Sequence, residues 1–146
     1  MLLQLKKRLL ELMKKEFPAD EYKYYGIEVM QGYEVPAFFT ELKPVTIEAV
    51  NHNITRNVYT FYIDYFQSEV DEIDIFEKVE VLKSVFGNYI MVGDRAIDVS
   101  NFSHDYIGQD NDILEISLDL EWSENIMKPK TEPVMESVTI NTEMEE

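Results

Sequence analysis

The chain contains no cysteine, so disulfide staples and thiolate metal sites are excluded. Histidine is nearly as scarce: His52 and His104 stand far apart, and neither has a second ligand at helical metal spacing. The five glycines are scattered singly, which leaves no Gly-rich loop to cradle a phosphate. No apolar run approaches the roughly 18 residues of a membrane span, and residues 1–17 interleave charge with leucine, unlike a secretory signal. Basic residues are few, 13 against 29 acidic ones, for a net charge of −16. Such a chain repels phosphate backbones, so general electrostatic binding to DNA or RNA is excluded.

What is present is the material of a core. At 146 residues with 45% hydrophobic content, nine tyrosines and eight phenylalanines, the chain supports one folded domain. Leu5, Leu9, Met13 and Phe17 recur at four-residue steps and predict a helix over 2–17, ended by Pro18. Its Lys6, Lys7, Arg8, Lys14 and Lys15 outweigh Glu11 and Glu16. This basic face is either solvated or, through Lys6, Lys7 and Lys14, docked on an acidic partner.

Residues 22–30 read as a strand, 31–34 as a turn, and 36–42 as a second strand that Pro44 either ends or marks as an edge. Residues 45–55 either extend that strand or form a projecting loop around Asn51-His52-Asn53, which makes His52 and Arg56 candidate contact residues. The stretch 56–66 is a strand with Tyr59, Phe61, Ile63 and Tyr65 on one face. Ser68 is expected to cap a helix over 69–86. The acids Glu69, Asp71, Glu72 and Asp74 lie at its positive end, and Lys78 and Lys83 lie later, as the helix dipole prefers. Ile75, Val79, Leu82 and Phe86 mark its buried stripe.

Strands at 89–92 and 96–102 flank a Gly93-Asp94-Arg95 turn, and 104–112 read as a polar connection. Leu114–Trp122 then alternates without a fault. The expected fold is α+β: a single domain over 1–123, with an antiparallel or mixed β-sheet and two helices packed on one face. Residues 124–146 are expected to be an extended acidic C-terminal tail, in which Met135, Val138 and Ile140 offer anchors to a neighbouring subunit.

No catalytic group emerges. Ser103-His104-Asp105 has triad residue types, but adjacent residues cannot form the relay. Asp110-Asn111-Asp112 opens like a calcium loop, yet Glu115 stands where the loop needs glycine. Neither a metal nor a cofactor is expected, and the chain is not read as an enzyme.

The stretches QGYEVPAFF (31–39), RNVYTFYIDYF (56–66) and ILEISLDLEW (113–122) resemble the phage tail terminator family of phages, prophages and phage-tail-like bacteriocins. That resemblance covers about residues 1–123. It implies a structural protein at the head-proximal end of the virion tail, assembled in the host cytoplasm as a homohexamer ring. The ring would cap the tail tube protein, stop polymerisation, and receive a neck or head-tail connector protein. In contractile systems it would also meet the tail sheath protein. DNA would pass through the lumen without specific binding. Two alternatives stay open: a neck or head-completion protein, and an acidic soluble module that binds a basic protein.

Overall fold

The computed structural model describes residues 1–26, 28–29 and 31–125. Its elements run α1 (Leu2–Glu16), β1 (Lys23–Tyr25), β2 (Ala37–Ala49), β3 (Ile54–Phe66), α2 (Glu72–Phe86), β4 (Tyr89–Val92), β5 (Arg95–Ile107) and β6 (Ile113–Asn125). The six strands form one mixed sheet in the order β1-β2-β3-β6-β5-β4, in which only β1 and β2 are parallel. The α+β architecture with a single core is therefore as the sequence pattern implies.

The chain is organised as two halves, each a helix followed by three strands, which meet where β3 pairs with β6. The β2–β3 and β5–β6 hairpins consequently project from opposite ends of the sheet. Alternation along β3 and β6 places Tyr59, Phe61, Ile63, Tyr65, Leu114, Ile116, Leu118, Leu120 and Trp122 on one face. Both helices cover that face, α1 with Leu5, Leu9 and Met13, α2 with Ile75, Val79, Leu82 and Phe86. Burying a set of this size supplies the dominant drive for folding. Among the described residues no helix covers the opposite face.

Several boundaries differ from the sequence reading, each for a physical reason. β1 holds three residues, because the chain leaves the sheet at Gly26. β2 continues through Pro44 by way of a bulge between Pro44 and Thr46. Proline is tolerated there because β1 covers β2 only as far as Phe39. The Pro36 carbonyl points outward and accepts from the Lys23 N–H of β1, so by alternation Pro44 turns its missing N–H to the same side, which is unpaired beyond Phe39. The α2 cap is Asp71, not Ser68; its side chain accepts from the Ile73 N–H at 3.1 Å. The expected polar connection 104–112 is strand as far as Ile107, so Ser103-His104-Asp105 lies within β5. β6 likewise runs to Asn125. Met135, Val138 and Ile140 lie outside the described residues.

Candidate functional site

Among the described residues no group of three His, Asp or Glu side chains could hold a metal ion. Among these residues, too, no helix is long and apolar enough to cross a membrane. What the fold offers is surfaces, and they are chemically distinct.

The open sheet face is the most charged. Cross-strand register puts Glu41, Lys43 and Glu48 of β2 beside Arg56 and Asp64 of β3. Glu115, Asp119 and Glu121 of β6 share the face, as do Asp98 and Asp105 of β5. On β2, β3, β5 and β6, eight carboxyl groups thus oppose two cations, and Lys23 of β1 adds a third cation to this face. Arg56 binds this array together: Nε donates to Glu121 at 2.7 Å and Nη1 to Glu48 at 2.9 Å, joining three strands. Its guanidinium is held above the ordinary arginine value by the hydrogen bonds to Glu121 and Glu48. Arg56 therefore ties its own sheet together while its side chain stays 39% exposed.

A groove of about 530 Å³ on this face is lined by Tyr33, Phe39, Tyr62 and Phe66 together with Glu41, Asp64 and Glu115. Asp64 Oδ1 is buried with no hydrogen-bond partner among the described residues. Burial first, then hydrogen bonding to Glu115 and the charges of Glu115 and Glu41, push the Asp64 carboxyl up to about 7, against a weaker pull from Lys43. A carboxyl raised in this way binds its proton more tightly folded than unfolded. Its contribution is therefore favourable below pH 4 and diminishes as pH rises towards 7. Asp64→Asn is expected to stabilise the domain at pH 8 by about 1–2 kcal/mol, after discounting for partial exposure, and to do little at pH 4. Thermal melts at both pH values check this; equal shifts at the two would refute the ionisation argument.

The β2–β3 hairpin tip is the second surface. Asn51 Oδ1 accepts from the N–H groups of Asn53 at 2.8 Å and Ile54 at 3.1 Å, fixing the turn. His52 sits exposed at its apex. Val45, Ile47 and Val50 are 60%, 58% and 58% exposed apolar side chains of this hairpin, with Ile47 and Val50 on opposite faces by register.

The α1 lysines divide. Lys7 is exposed. Lys6 is half-buried with Nζ 5.3 Å over the Phe61 ring, and burial lowers its pKa against the opposing pull of Glu41 and Glu28. Lys14 lies 5.1 Å over Tyr24. Lys6 and Lys14 are thus committed in part to their own sheet.

The sequence reading missed the most constrained cation. Lys78 is fully buried, at 5.0–5.1 Å over the rings of Phe17, Tyr22 and Tyr65, with Nζ 2.5 Å from Asp74 Oδ1. Tyr65 and Gln67 donate to the other Asp74 oxygen at 2.6 and 3.0 Å. Burial opposes the ammonium, but hydrogen bonds to Asp74 and Tyr22 outweigh it and raise its pKa. The available signal was position: Lys78 lies three residues after Ile75 and four before Leu82, inside the apolar stripe.

Comparison with known proteins adds the following. A family model described as phage tail terminator protein matches residues 4–133. No curated protein sequence matches the chain. A solved structure known only by a sequence identifier superposes with a TM-score of 0.52 at 13% identity, covering 88% of this chain and 94% of that one. At that identity the likeness shows the fold alone.

Proposed function

The chain belongs to the phage tail terminator family, a structural component of the phage tail, and from that premise we propose that it forms a ring on the last tail-tube ring. There it halts tube growth and presents the surface that receives the neck or head-tail connector. The observation that carries this reading is the family match, which spans nearly all of the described residues. The physical features agree with it. Heterologous contacts close into rings when the rotation allows, and sheet edges and projecting hairpins are common means of such contact. We assign the β2–β3 hairpin, with Val45, Ile47, Val50 and His52, to the contact with tube protein, and the exposed Lys7 of α1 to an acidic neighbour. We assign the open acidic face to the lumen, where its charge lets DNA pass without adhering.

Co-expression with the cognate tube protein, followed by electron microscopy, tests the proposal. The expected product is tubes with a discrete ring at one end that stop extending when tube subunit is added. Uncapped tubes with this protein left in the soluble fraction would overturn it.

A further inference from the structure

Where β1 departs at Gly26, the outer edge of β2 from Thr40 onward pairs with no strand among the described residues. A groove of about 550 Å³ occupies the place a continued strand would take. Leu2, Leu3, Leu42 and Tyr59 give it an apolar wall, Thr40 forms part of its floor, and Lys6 stands at it with Glu28 and Glu41. The alternation that turns Pro36 and Pro44 outward also turns the N–H and C=O groups of Thr40 and Leu42 into this slot. Unpaired edges of this kind accept an added strand, with the backbone supplying affinity and side-chain alternation supplying selectivity.

We propose that the slot is filled by residues 136–140 of the chain's own C-terminal segment. In Glu136-Ser-Val-Thr-Ile140, Val138 and Ile140 fall on one side at period two, towards Leu2, Leu3 and Tyr59, while Ser137 and Thr139 fall on the other.

The exit point supports the chain's own segment as the occupant. β6 and β2 both run antiparallel to β3, so β6 ends at Asn125, opposite Ile54, at the same end of the sheet as the end of β2. A returning segment would lie antiparallel to β2. The slot is three strand spacings away, roughly 15 Å, and its near end roughly 15 Å back along β2. The nine residues 126–134 reach about 30 Å when extended. The inference goes beyond the assembly reading and concerns the isolated chain.

The absence of cysteine makes engineered pairs unambiguous. In dilute full-length protein, Leu3→Cys with Val138→Cys is expected to oxidise to an intramolecular cross-link. Tyr89→Cys with Val138→Cys, at the opposite edge of the sheet, is expected not to. In a second measurement, Val138→Asp with Ile140→Asp should speed amide exchange at Thr40 and Leu42 about tenfold or more, leaving the β3–β6 amides unchanged. The proposal requires both results. Cross-linked dimers would assign the slot to a neighbour's segment and overturn the intramolecular docking. Absence of any cross-link, or unchanged exchange, would overturn the slot as a site for this strand.

Discussion

Lys78→Ala is expected to cost the domain about 3–4 kcal/mol, a large share of the stability of a chain this size. The substitution removes the ammonium that Asp74 holds at 2.5 Å and empties the space among Phe17, Tyr22 and Tyr65. Both losses act in one direction, since a half-buried carboxylate loses its cation and three rings lose their packing partner. Lys78→Met keeps the volume and should cost less, about 1–2 kcal/mol, because Tyr65 and Gln67 still donate to Asp74. Urea titrations of the three proteins measure the difference; equal losses for Ala and Met would show that the charge matters and the packing does not. The pair also sets an acid limit. Burial opposes ionisation of Asp74, but hydrogen bonds from Lys78, Tyr65 and Gln67 outweigh it and hold the carboxyl below its ordinary value. Its contribution is complete above pH 4 and is lost as pH falls through the depressed value. The Lys78 variants should therefore lose less stability on acidification than the parent chain.

The second large effect is expected in assembly and not in folding. Val45→Asp with Ile47→Asp on the β2–β3 hairpin should change stability by less than about 0.5 kcal/mol, because both side chains already face solvent. Capping of tail tubes should fall at least about thirtyfold, the loss that follows from removing one apolar hot spot of about 2 kcal/mol. The double variant separates two roles of the hairpin. Arg56 already ties it to Glu48 and Glu121, so its internal geometry survives when its apolar tip is made acidic. Counting capped tube ends per micrograph at fixed protein concentration gives the answer. Undiminished capping by a fully folded variant would remove the hairpin from the tube contact.

The elements that could be read from residue order were those whose periodicity is set by burial on one side. β6 and the inner face of β3 alternate because a helical layer covers one face only, and α1 repeats its leucines because it supplies that layer. What escaped was decided by partners distant in sequence. Pro44 reads equally as a strand end or an edge marker until one knows that the neighbour on that side stops at Phe39. Lys78 reads as a solvated dipole residue until Phe17, Tyr22 and Tyr65 close around it from three other parts of the chain. Arg56 was singled out as a contact for others, yet its carboxylate partners stand 8 and 65 residues away and belong to its own sheet. Asp64 carried a visible signal, an acid inside an aromatic strand, but only the register beside Glu115 gives it a consequence.

The antiparallel junction of β3 with β6 also governs how the molecule bears load. The two long hairpins point to opposite ends, and the ladder between them runs unbroken from Ile54–Asn125 to Tyr65–Leu114. Tension applied between the hairpin tips acts along the strands, at right angles to the hydrogen bonds, so every rung shares the force and none is peeled first. A protein held at one tip and pulled at the other would rupture in a single high-force event, resisting as a lap joint and not as a zipper.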